Sequence, residues 1–150
     1  MGNKNKLKQF REFRSFDHTF EKDSITKGKW NDFFKNSNPI VLELACGKGD
    51  YAIGLAKLYP NKNFIGIDIK ANRMWRGATT VEEEGIKNVA FLRAHIDHIT
   101  DYFNNEEVSE IWITFPDPQP KKERKRLTSK LFLDRYQQIL KPDSSIITLA

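Results

Sequence analysis

The chain has 150 residues, of which 39% are hydrophobic and 30% charged. That suits one soluble globular domain able to bury its own core, and excludes disordered and fibrous chains. No apolar run approaches the roughly 20 residues of a membrane span, and MGNKNKLKQF at the N-terminus lacks the apolar stretch of a secretory signal.

MGNKNK opens like an N-myristoylation signal, but Lys6 stands where Ser or Thr is required. Cys46 is the single cysteine, so no intramolecular disulfide can form, and a cytoplasmic location is expected. The formal charge of +5 favours an acidic partner, and its distribution is more telling. Lys4, Lys6, Lys8, Arg11 and Arg14 cluster near the start against Glu12 alone. Lys121, Lys122, Arg124, Lys125, Arg126 and Lys130 cluster later against Glu123 alone. A basic cluster is often only a solvated face. Two of them, one beside a candidate site loop, point to phosphate binding and hence to nucleic acid.

Residues 1–36 carry mixed charge and scattered Phe without strand alternation. They read as a basic N-terminal arm and a helix around Ile25–Phe34, and residues 37–150 as the main domain. Ile40–Leu44 is a short apolar run, expected to be a buried strand, that feeds the turn Cys46-Gly47-Lys48-Gly49-Asp50. Tyr51, Ile53, Leu55, Ala56 and Leu58 follow at helical spacing until Pro60 stops the helix.

Phe64–Asp68 is a second strand, and a helix from Asn72 to Glu84 closes at Gly85, a left-handed cap. Val89–Leu92 is a third strand, followed by a short helix over Ile96–Phe103. Ile111–Phe115 is a fourth, running into a proline-rich loop. A helix over Ser129–Leu140 leads through Lys141-Pro142-Asp143 to a fifth strand, Ile146–Leu149. Strands alternating with helices predict a Rossmann-like, doubly wound α/β fold with a mostly parallel sheet. The chain stops inside the fifth strand, so the expected fold is incomplete at its C-terminal side.

A glycine turn after a first strand lets a ligand approach the backbone and aims helix amides at it. Gly47-x-Gly49-x-x-Ala52, with Asp68 about 20 residues further on, meets a loose dinucleotide pattern. Glu43 argues against that ligand: a carboxylate ending the strand lies where a pyrophosphate would sit, and the two repel in a low-dielectric crevice. S-adenosylmethionine reverses the electrostatics, because it carries a sulfonium and an ammonium and no phosphate. Glu43 would then attract it directly or hold the loop amides. Two plainer readings stay open: Glu43 paired with Lys48, and Asp68 as a helix N-cap. Cys46 reads as a small packing residue, since no His or Asp is arranged to activate it.

The second candidate is the loop Phe115-Pro116-Asp117-Pro118-Gln119-Pro120-Lys121-Lys122, at the end of a strand where ligands of open α/β sheets sit. Three prolines stiffen it and hold Asp117 in one pose, unless it is simply a rigid connector.

Leu42-Glu43-Leu44-Ala45-Cys46-Gly47-Lys48-Gly49, Phe64-Ile65-Gly66-Ile67-Asp68, and Phe115-Pro116-Asp117-Pro118-x-Pro120-Lys121-Lys122 with Arg126-Leu127-Thr128 resemble the bacterial tRNA (guanine-N7)-methyltransferases. The resemblance covers roughly residues 35–150. It implies a class I methyltransferase domain that uses S-adenosylmethionine to methylate N7 of a guanine in the tRNA variable loop. By position it implies that Glu43, Gly47, Gly49 and Asp68 bind the cofactor. Asp117 would serve at the catalytic centre and touch the cofactor, and Lys121 would meet the tRNA; no metal is implied. Gln119 stands where the family usually has Trp, and the basic run after Lys122 is about two residues shorter than usual. His95, with Asp97 beyond it, falls where the family places an acid near the adenine. Other readings are a different class I RNA methyltransferase, a nicotinamide-dependent oxidoreductase, and an RNA-binding protein without catalysis.

Overall fold

Ile40-Val41-Leu42-Glu43-Leu44 is buried at every position, as a strand covered on both faces must be. The structure, a computed structural model, describes residues 3–114 and 126–149. In chain order its elements are α1 (Asn3–Ser15), β1 (Thr19–Phe20), α2 (Trp30–Phe34), β2 (Ile40–Leu44) and α3 (Asp50–Leu58). Then come β3 (Asn63–Asp68), α4 (Ala71–Glu84), β4 (Val89–Arg93), a 3-10 helix (Ile96–Asp101), β5 (Val108–Thr114), α5 (Lys130–Ile139) and β6 (Leu140–Leu149).

The six strands form one parallel sheet in the order β1-β4-β3-β2-β5-β6. The chain steps outward from β2 through β3 to β4, then returns to the far side of β2 for β5 and β6. The direction of winding therefore reverses between β2 and β5. A crevice opens at such a point beyond the C-terminal strand ends, where doubly wound sheets bind ligands. Register places Glu43 beside Gly66 on one side and Trp112 on the other, so the acid lies at the centre of that reversal.

Side chains alternate across the sheet into two cores. Leu42, Leu44, Ile65, Ile67, Ala90, Leu92, Ile111 and Ile113 face α2, the 3-10 helix and α5, through Trp30, Ile99, Phe132 and Tyr136. Val41, Phe64, Val89 and Phe91 face α1, α3 and α4, through Phe13, Ile53, Met74 and Val81. Helices thus cover both faces, the doubly wound arrangement expected from the alternation of elements.

The N-terminal 36 residues engage this frame in detail. Phe13 of α1 is fully buried, and Glu12 accepts a 2.7 Å hydrogen bond from the Trp75 indole of α4. β1, which the sequence did not announce, pairs with β4 through Thr19–Phe91 and Phe20–Leu92. Two residues carry no detectable alternation, so this strand is created by its partner. Beyond it, Glu21 grips Arg93 at 2.8 Å, and the Thr26 hydroxyl and Trp30 indole both donate to the Tyr102 carbonyl.

β5 begins three residues before the expected Ile111, because Val108 pairs with Leu140 and Glu110 with Val41. In β6 the register jumps from Val108–Leu140 to Glu110–Ser145. The intervening Lys141-Pro142-Asp143-Ser144 is a bulge, with Asp143 left-handed at φ 62°. Lys141-Pro142-Asp143, expected to connect the helix to a strand at Ile146, instead lies inside β6, which begins at Leu140. Among the described residues no helix is long and apolar enough to cross a membrane.

Candidate functional site

The backbone leaving β2 turns sharply through three left-handed residues: Ala45 (φ 56°), Gly47 (φ 56°) and Gly49 (φ 75°). The two glycines serve different purposes. A Cβ on Gly47 would meet nothing within 4 Å, so its surface is free for a ligand to approach. A Cβ on Gly49 would lie 2.5 Å from the Phe91 ring. Gly66 of β3 and Gly77 of α4 meet the same ring, at 3.1 and 2.9 Å. Phe91, fully buried, fills space left by three absent side chains and so locks turn, sheet and α4 together. Ala45 adopts φ 56° despite its Cβ, local strain of the kind that gathers at functional turns.

Glu43 is 5% exposed. Its Oε1 accepts from the Ala52 amide in the first turn of α3 at 3.2 Å, and its Oε2 accepts from the Thr114 hydroxyl at 2.7 Å. Glu43 thus holds one amide of α3 and the Thr114 hydroxyl; among the described residues it holds no loop amide and forms no ion pair with Lys48. Burial pushes the Glu43 carboxyl up to about 7, against the opposing pull of the Thr114 and Ala52 hydrogen bonds; Asp50 and Asp68 add to the rise.

Asp68 ends β3. Its Oδ2 accepts from the Gly47 amide at 3.0 Å, and its Oδ1 from the Ile69 and Lys70 amides at 2.7 and 3.2 Å. The acid therefore ties the glycine turn to the segment entering α4; the N-cap itself is Lys70, with no side-chain cap hydrogen bond, so Asp68 is not the cap. Cys46 is buried, and burial pushes its thiol well up, so it packs against Gly66 and is no nucleophile.

Three carboxylates, Glu43, Asp50 and Asp68, thus influence one another around an open glycine turn. Among the described residues none of the three is paired with a Lys or Arg. Such a site suits a cationic ligand and opposes a pyrophosphate. His95 lies just past β4 as the residue before the 3-10 helix, with Asp97 in that helix's first turn. Asp117 and Lys121, with Gln119 and the prolines around them, lie outside the described residues. Thr114, the last described residue before them, donates its hydroxyl to Glu43 from the adjacent strand.

Sequence reasoning did not single out Thr114, Phe91 or Gly77. Gly77 carried a readable signal, a glycine in the middle of an otherwise regular helix pattern; the other two look like ordinary strand residues.

Comparison with known proteins places these features in a family. Residues 37–150 match a family model described as a putative methyltransferase. A tRNA (guanine-N(7)-)-methyltransferase of Bacteroides thetaiotaomicron is 53% identical over 95% of this chain, which spans 60% of that relative. One of Christiangramia forsetii is 54% identical over 95% of this chain, which spans 69% of it. Among solved structures, a 16S rRNA (adenine(1408)-N(1))-methyltransferase from Catenulisporales acidiphilia with its cosubstrate SAM superposes with TM-score 0.65. It is 16% identical and covers 79% of this chain and 58% of its own, a likeness of fold.

Proposed function

This chain belongs to the tRNA (guanine-N(7)-)-methyltransferase family, and from that premise we propose that it transfers a methyl group from S-adenosylmethionine to N7 of a guanine in the tRNA variable loop. The observation that carries the cofactor half is Glu43, a buried acid at the switch point with its carboxyl raised to about 7 beside Asp50 and Asp68. An array of carboxylates with no ion-pair partner among the described residues fits a sulfonium and an ammonium. It opposes the pyrophosphate that a nicotinamide-dependent oxidoreductase would bring.

In this reading Glu43 and Asp68 hold the turn in its binding shape, Gly47 offers open backbone, and Gly49 keeps that backbone seated on Phe91. Bound S-adenosylmethionine supplies an electrophilic methyl group. Guanine N7 carries its own in-plane lone pair, so no protein base need remove a proton before attack. Positioning then supplies most of the rate, for which effective molarities of about 10⁵ M or more are possible. The methylated base is cationic. Asp117, in the proline-rich segment that follows Thr114 in the sequence, would orient the guanine and stabilise that developing charge. Lys121 and its basic neighbours take the tRNA phosphates.

The deciding experiment incubates the full chain with labelled S-adenosylmethionine and unmodified tRNA, then maps the modified nucleoside. 7-Methylguanosine in the variable loop is the expected product. Label in another nucleoside, or none, would sink the reading. Asp117→Asn should lose most turnover while keeping tRNA affinity; full turnover would remove Asp117 from the centre.

A further inference from the structure

Helix α4 carries its charges at the wrong ends. A helix is favoured by acids at its N-terminus and bases at its C-terminus. α4 is capped by exposed Lys70, followed by exposed Arg73 and Arg76, and finishes on Glu82, Glu83 and Glu84. Its first turn holds no acid and its last turn no base. The acids at its far end are partly used, Glu84 by Lys57 at 2.6 Å and Glu82 by His18 at 3.8 Å. Arg73 and Arg76 have no ion pair among the described residues. The segregation therefore works against the helix's own dipole without internal compensation at the basic end.

A second observation places Arg76 beside the glycine turn. Arg76, Lys48 and Lys57 line a cavity of about 440 Å³ between α3 and α4, with Asp50 its acidic neighbour. Gly77 makes this possible, because its missing Cβ would lie 2.1 Å from the Lys48 carbonyl; the turn rests directly on α4. Lys48 is exposed and likewise makes no ion pair among the described residues. A third observation extends the face. α1 docks on α4 through Phe13 and the Glu12–Trp75 bond, and turns Lys6, Lys8, Arg11 and Arg14 outward.

We propose that the outer face formed by α1, the first half of α4 and Lys48 is a docking surface for the RNA phosphodiester backbone, with Arg73 and Arg76 as its centre. The inference rests on RNA being the substrate. Exposed, separated cations spread over two helices and a turn suit a chain of phosphates, each neutralised singly, better than one small anion. The face borders the glycine turn, at the C-terminal end of the sheet. A strand of RNA held there lies at the same end of the sheet as Thr114, the last residue of β5.

The test measures tRNA binding to the full chain across a salt titration, for wild type, Arg73→Gln/Arg76→Gln, and the charge-matched control Lys35→Gln/Lys87→Gln near the opposite strand ends. The central pair should weaken tRNA binding about tenfold and reduce the slope of log affinity against log salt by about 2. S-adenosylmethionine affinity should stay unchanged, which shows that the fold and turn survive. Wild-type affinity and slope in Arg73→Gln/Arg76→Gln would overturn the proposal, as would an equal loss in the control pair, which would make the effect one of net charge. Wild type that methylates tRNA while the central pair behaves normally removes this surface alone. Wild type that binds no tRNA removes both this surface and the proposed function.

Discussion

Glu43 and Thr114 end adjacent parallel strands, and a 2.7 Å hydrogen bond from the Thr114 hydroxyl to Glu43 Oε2 joins them across the switch point. The other oxygen of the same carboxylate holds the first turn of α3 through the Ala52 amide. One buried acid therefore links the turn proposed to bind the cofactor with the strand that leads to the proposed acceptor loop. Thr114→Val should leave Glu43 Oε2 buried without its donor and cost about 1–3 kcal/mol of stability. Thr114→Ser should restore most of it. Denaturant unfolding of both variants checks this; equal stability of Val and Ser would show that the hydroxyl is idle.

Because the Glu43 carboxyl is raised to about 7 from an ordinary value of 4.5, it binds its proton more tightly in the folded chain than in the unfolded one. Between those pH values the unfolded state is ionised while the folded state is still protonated. Its contribution to stability is therefore present below pH 4.5, declines as pH rises, and levels off above about 7. At roughly 1.4 kcal/mol per pH unit the loss amounts to about 3 kcal/mol. Glu43→Gln should lack this decline, so the stability difference between variant and wild type should move in the variant's favour across that window. A cationic ligand favours the ionised acid, so S-adenosylmethionine affinity should rise with pH and flatten above about 7. Parallel pH curves for the two proteins would refute the assignment.

In an exposed helix, replacing glycine with alanine adds about 1 kcal/mol of stability. At Gly77 the sign should reverse, since the new Cβ would sit 2.1 Å from the Lys48 carbonyl and 2.9 Å from the Phe91 ring. Gly77→Ala should cost about 1–3 kcal/mol and weaken cofactor binding by displacing the turn. Gly85→Ala, at a left-handed cap with open space around it, should lose stability without touching cofactor affinity. A stabilised Gly77→Ala would contradict the close packing described.

Asn88 offers its side-chain amide to the carbonyls of Ala56, Tyr59 and Lys62 at 3.1, 3.3 and 2.9 Å, which fastens the end of α3 to the start of β4. Asn88→Ala should cost about 1–3 kcal/mol and speed amide exchange in the 59–63 connection. Unchanged protection there would mean that water satisfies those carbonyls equally well.

Much of this protein is legible in its sequence, because much of it depends on local pattern. The apolar runs 40–44, broken only by Glu43, and 89–92, the helix closing at Gly85 and the stop at Pro60 follow from side-chain burial and backbone stereochemistry alone. So does the alternation of strand and helix that requires a doubly wound sheet. The acid before the glycine turn was legible as a residue type; how far it is charged depends on the burial that raises its carboxyl to about 7.

Tertiary structure decided what depends on contacts between distant residues. Only pairing with β4 makes a strand of Thr19 and Phe20, and only register brings Thr114 to Glu43. Phe91 looks like any buried strand residue until Gly49, Gly66 and Gly77 are seen around its ring. Glu43 itself shows the division. The acid could be read from one position in the chain; that it holds Ala52 and Thr114, with its carboxyl near 7, required three separate segments to be folded around it.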